Sequence, residues 1–251
     1  MNTDSVEDRL ARSRDSYVRS RQATERYSGQ ARTWYSLSLA ARGIGVAEWM
    51  AHHDVSVTRG YFAESCESMC QMFERFPSLS DSNGDSSLWG ETGYKQLLYG
   101  LASARDDLPR RLSEHFATDK TVAIMKSSGN SFWPRFSRGM SFTLRDLVLG
   151  RDPSEGLSLL DSAVASKPEH GFMSFVPALH AVHARDAGAF HSACEEIIKA
   201  HARLARGKGP YALDPERDLS VWGIGIAILA QRRGMPFNFD HPLMPKELTT
   251  I

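Results

Sequence analysis

The chain has 251 residues, of which 41% are hydrophobic and 24% charged, and its 30 basic residues balance its 30 acidic ones. That length buries a real core, as one large domain or two small ones. The charge balance excludes a strongly basic nucleic-acid binder and a highly acidic nucleic-acid mimic.

Helical periodicity runs through almost the whole sequence. Residues 4–27 form a highly charged helix in which Arg9, Arg12, Arg14, Arg19, Arg21 and Arg26 are interleaved with Glu7, Asp8, Asp15 and Glu25. Such interleaving predicts a solvated face with ion pairs four residues apart rather than a phosphate-binding surface. The next predicted helix, 31–52, is more apolar, with Trp34, Leu37, Ile44, Val46 and Trp49. The helix 57–76 carries Tyr61, Phe62, Cys66, Met69, Cys70 and Phe73 at helical spacing, and the alternating Val55-Ser56-Val57-Thr58 before it reads as a helix entrance.

Cys66 and Cys70 lie one turn apart on one face, and Cys194 is the third cysteine. An odd count without a framework pattern predicts reduced, buried thiols and no disulfide scaffold.

Loop formers fill PSLSDSNGDSS at 77–87, the first break. Helices are expected from 88 or 91 to 104, then at 108–116 with Pro109 in the first turn, and at 119–125. A second loop, SSGNS at 127–131, precedes a helix at 133–149.

Asp152-Pro153-Ser154-Glu155 then reads as a capping acid, a proline at the first helical position and a glutamate placed to cap in return. It opens a helix over 153–166. Helices over 172–185 and 190–205 follow, the second stopped by Gly207 and Gly209. Asp214-Pro215 opens the last helix and Gly234 ends it. Its segment from Val221 to Ala230 is apolar on nearly every side, which predicts an interior helix. Gly223 and Gly225 within it predict close approach of a neighbour, because each costs about 1 kcal/mol relative to alanine. The proline-broken tail is expected to cross helix ends with Phe237, Phe239 and Leu243 turned inward.

The expected architecture is therefore all-α: stacked antiparallel helix pairs in an irregular, helical-repeat-like bundle, 1–251 as one domain with possible subdivision near 77–87 or 150. No strict repeat period supports a regular tetratricopeptide array. The N-terminus lacks an apolar signal core, and the longest apolar run is short of the roughly 20 residues that span a bilayer. The expectation is a cytoplasmic protein without a membrane partner.

Signatures of chemistry are sparse. His180 and His183 share a helix face near His191, His201, Glu195 and Glu196, but HExxH spacing and a spaced cysteine pair are missing. Gly43-Ile44-Gly45 and Gly223-Ile224-Gly225 lack the third glycine and preceding strand of a dinucleotide fingerprint. Gly207-Lys208-Gly209-Pro210 lacks phosphate-loop spacing, and no G-x-S-x-G elbow is present. No metal, cofactor or nucleic-acid partner is expected. An enzyme built on His180 and His183 stands as an alternative.

The two loops have more to offer. SDSNGDSSLWGE places Asp81, Asp85 and Glu91 beside Trp89, and SSGNSFWPRF places Phe132 and Trp133 beside Arg135. Aromatics and arginine beside polar loops have the composition of protein-interface hot spots. The competing reading is that these aromatics anchor their loops to the core.

Four stretches in order, ARDAGAF, KAHARLARG, YALDPERDLSVWGIGIAILAQRRG and FDHPLMPKEL, are similar to the immunity protein 49 family of bacterial polymorphic toxin systems. The similarity spans roughly residues 150–251. It implies a helical, non-enzymatic cytoplasmic protein that binds a cognate toxin and neutralises it by occlusion. Asp81, Asp85, Trp89, Glu91, Phe132, Trp133 and Arg135 are the expected toxin-binding residues. A helical adaptor or regulator of another protein partner is the alternative. Oligomeric state is not encoded in any motif. A neutral net charge offers no electrostatic steering toward a very basic nuclease.

Overall fold

Packing begins at the N-terminus with three long consecutive helices. In the computed structural model, which describes residues 5–76, 93–115, 132–212 and 215–251, these are α1 (Val6–Arg26), α2 (Ala31–His52) and α3 (Val55–Arg75). After them come α4 (Gly93–Ala102), α5 (Asp107–His115), α6 (Phe132–Leu149) and α7 (Ser154–Ser166). The chain continues through a 3-10 turn, Gly171–Ser174, into α8 (Phe175–Ala184) and α9 (Ala187–Leu204). A second 3-10 turn, Pro215–Asp218, leads to α10 (Val221–Arg232), and α11 (Lys246–Thr249) closes the order. Among the described residues no strand occurs, so the fold class is all-α.

Consecutive helices pair: α1 packs on α2, α2 on α3, α6 on α7 and α8 on α9. Helix α10, whose residues Val221–Ala230 are all buried, lies chiefly against α4, with smaller contacts to α8 and α11. An apolar cluster extends from Ala31 to Leu248, with residues on both sides of 77–87 and of 150.

Small residues set the closest crossings. A Cβ on Gly225 would sit 2.5 Å from the Leu98 carbonyl oxygen, so α10 and α4 touch backbone to backbone. A Cβ on Gly156 would sit 2.4 Å from the Thr143 backbone nitrogen, and one on Gly139 2.7 Å from Leu160, so α6 and α7 interlock through two glycines. The expected close approach at Gly223 is to the tail instead: its missing Cβ leaves room for the Met244 sulfur.

Helix starts follow side-chain chemistry. Ser5 and Asp8 form a reciprocal capping box at α1, and Asp54 and Asp186 accept from Val57 N–H and Ala189 N–H at α3 and α9. The start of α7 differs from expectation. Asp152 accepts from the backbone N–H and the hydroxyl of Ser154, a two-residue turn that leaves Pro153 at the cap rather than inside the helix.

Two predicted single helices are each divided. The segment expected as 172–185 opens with the 3-10 turn, because the His170 imidazole accepts from Phe172 N–H. The helix expected from Pro215 breaks at Leu219-Ser220, where Ser220 N–H donates to the Leu243 carbonyl at 2.7 Å. The tail thus takes a donor that a continuous helix would have used internally. Predicted elements over 119–125 and the loops 77–87 and 127–131 lie outside the described residues.

The charged face of α1 contains the expected pairs, Arg19 with Asp15 at 2.8 Å and Arg21 with Glu25 at 3.7 Å. Other α1 cations reach across the fold. Arg14 holds Glu48 of α2 at 2.9 Å, and Arg9 pairs with Asp218. Tyr17 donates to Glu64 of α3 at 2.6 Å; burial, reinforced by that carboxylate, pushes its hydroxyl up to about 12. No described helix is long and apolar enough to cross a membrane.

Candidate functional site

Four of the expected interface residues, Asp81, Asp85, Trp89 and Glu91, lie outside the described residues. The other three sit in the first turn of α6. Phe132 faces inward with 8% of its surface exposed, whereas Trp133, next in the chain, is 44% exposed. Helical geometry sends neighbouring side chains about 100° apart, so one aromatic enters the core while the other meets solvent. Arg135 lies beside them and donates to the Ser162 hydroxyl of α7 at 3.1 Å.

Trp133 is the outer end of a column of rings. Its indole meets the rings of Phe132 at 5.1 Å, His170 at 5.0 Å and Phe172 at 5.5 Å. Phe172 continues inward to Tyr211 at 5.4 Å and to Trp222 of α10 at 5.2 Å, and Trp222 reaches Tyr94 of α4 at 5.4 Å. Edge-to-face and offset contacts at these separations add stability beyond burial alone. The column therefore backs an exposed tryptophan with a stiff support reaching the central helix.

Cations flank this surface. The Lys167 ammonium lies over the Phe132 ring at 5.4 Å, and Arg135 lies on the same helix turn as Trp133. Burial, together with Lys167, lowers the affinity of His170 for a proton, so the folded chain holds this imidazole neutral. An unfolded chain protonates it at the ordinary imidazole value, so stability falls as pH drops through that range. The expected result is a melting temperature that falls from about pH 7.5 to about pH 5.5, with a shallower fall in His170→Asn, whose amide oxygen can still cap Phe172. Equal slopes for both proteins in pH-resolved thermal melts would refute this role.

The sequence reading does not single out His170, Phe172 or Tyr211. The available signal is the aromatic density of HGFMSF, residues 170–175, but which ring meets which depends on how α6 and the turn before α8 come together.

The histidines sit at separate places in the fold. His180 pairs with Asp161 of α7 at 2.8 Å on an exposed edge. His201 is buried and contacts the Arg217 carbonyl at 3.1 Å. His191 lies against the Phe239 ring. Among the described residues, no three histidines, cysteines or acids are placed to hold one ion. All three cysteines are free and buried. Burial drives the Cys194 thiol up to about 12, and burial with the neighbouring Cys70 drives Cys66 well above the ordinary thiol value, which favours the thiol over the thiolate at both.

A buried polar clamp stands apart from these groups. Glu216, 2% exposed, accepts from Tyr99 of α4 and pairs with Arg42 of α2 at 3.2 Å, fastening the turn before α10 to two helices. Its ion pair and backbone connections give it a structural role. The Trp133 surface, with its ring column and flanking cations, is the candidate functional site. No protein-family model matches the chain, nor does any curated protein or solved structure.

Proposed function

We propose that this chain is an immunity protein that binds a toxin domain and blocks it by occlusion. The observation that carries the reading is Trp133: a large aromatic held at the surface, stiffened from behind by Phe172 and Trp222. Tryptophan backed by a rigid pocket wall has the character of an interface anchor, because it brings large area at small entropic cost. Arg135 and Lys167 add directional polar contacts beside it. An interlocked helical scaffold suits occlusion, which needs a firm surface burying on the order of 800 Å² per partner.

The test is capture of the partner from the producing cells, followed by expression of the partner's terminal domain alone and with this chain. The reading requires that the domain arrest growth and that co-expression restore it. A stoichiometric partner without toxicity would overturn it in favour of an adaptor. Trp133→Ala is expected to weaken the complex about thirtyfold, the effect of losing an interface hot spot, and to weaken growth rescue with it. Circular dichroism melts of the free variant separate this from unfolding.

A further inference from the structure

The end of α2 and the tail line a cleft of about 600 Å³. That volume lies within the range of small-ligand sites. Its floor is apolar: Trp49, only 4% exposed, with Met50 beside it and Leu243 opposite. Three carboxylates line it, Asp218, Asp240 and Glu247, together with the imidazoles of His53 and His241, and among the described residues no lysine or arginine does.

Asp218 is already neutralised by Arg9 and by Arg217, the latter at 3.3 Å. Among the described residues, neither Asp240 nor Glu247 forms an ion pair. This contrasts with the paired acids Glu48, Glu67, Glu74, Asp107 and Asp146 elsewhere.

The wall bearing the two free charges is fixed before any ligand arrives. Leu243 N–H donates to the His241 imidazole at 3.1 Å, its carbonyl accepts from Ser220, and Lys246 N–H donates to Asp240 at 3.1 Å. Arg59 donates to the carbonyls of Glu247 and Leu248.

We infer that this cleft binds an aliphatic cation, an ammonium or guanidinium group on an apolar stem, as in a lysine or arginine side chain. The stem lies along Trp49, Met50 and Leu243, where aromatic and aliphatic surface is desolvated. The charged head meets Asp240 and Glu247 at the mouth. A neutral stem of the same length gains the first contribution and loses the second, which gives the cleft its selectivity. The inference concerns the isolated chain and stands independently of a toxin partner.

The test is an NMR titration of the full chain with n-butylammonium, with the peptide acetyl-Ala-Lys-Ala-amide, and with the same peptide carrying norleucine in place of lysine. Saturable shifts at the Trp49 indole and the Leu243 methyls are expected for both cations. Asp240→Asn and Glu247→Gln should each weaken binding about two- to fivefold, the effect of one exposed ion pair. Asp240→Asn keeps the side-chain oxygen that accepts from Lys246 N–H. Tighter binding of the lysine peptide than of butylammonium identifies a polypeptide-borne side chain as the ligand. Equal binding identifies a free amine. Absence of saturable shifts, norleucine binding as tightly as lysine, or unchanged cation binding in the double variant overturns the inference.

Discussion

Gly225→Ala should destabilise the chain by about 2 kcal/mol and lower its melting temperature by about 4–8 °C. The added methyl would lie 2.5 Å from the Leu98 carbonyl oxygen and 3.2 Å from the Leu98 carbonyl carbon and Cα. Those are backbone atoms of α4, held by helical hydrogen bonds, so the contact is relieved only by moving the central helix. Overpacking of this kind costs about 1–3 kcal/mol or more, while alanine's helical preference returns about 1. Gly223→Ala supplies the control two residues away. Its methyl meets the Met244 sulfur at 2.7 Å and the Ser220 hydroxyl at 3.0 Å. Both are side-chain ends, and methionine repacks easily. That variant should stay within about 1 kcal/mol of the parent. Urea denaturation of the two proteins decides the matter, and equal stability would show that the α4–α10 crossing is looser than described.

Glu216→Ala is expected to cost about 3–5 kcal/mol. The carboxylate is buried, and its removal leaves the Arg42 guanidinium and the Tyr99 hydroxyl without the group that both address. The penalty comes from removing a charged acceptor that a largely buried guanidinium and a buried hydroxyl both use. Glu216→Gln retains an acceptor for Tyr99 and should cost less, about 1–3 kcal/mol. The turn Pro215–Asp218 also carries Asp218, which binds Arg9. Loss of Glu216 should therefore speed hydrogen exchange in α1 as well as in the turn. A Glu216→Ala protein with parental stability would dismiss the clamp.

Of the candidate site, residue type was readable and exposure was not. FWPRF announces an aromatic turn, yet nothing in those letters tells which ring points out. That assignment depends on the face of α6 that Gly139 commits to Leu160 and α7. Once the face is committed, Phe132 turns inward and Trp133 outward. The ring column behind them draws His170 and Phe172 from the turn before α8, Tyr211 from beyond α9, and Trp222 from α10. Four separate segments converge there, and no spacing rule links them. The Asp240 and Glu247 cleft is hidden for the same reason, since Trp49 and Leu243 are joined only when the tail returns across the end of α2.

Helical class, most helix positions and the interior placement of Val221–Ala230 were legible in the chain, because periodicity, caps and apolar content act locally on neighbouring residues. The glycines in α10 likewise announced a close neighbour. Tertiary structure alone chose that neighbour, setting Gly225 on Leu98 and Gly223 on Met244. It also cut the final helix at Ser220, where a tail carbonyl offers a hydrogen bond, and drew Glu216 between Arg42 and Tyr99. Each of these outcomes balances local helical preference against a partner far away in sequence, and local preference has no knowledge of that partner.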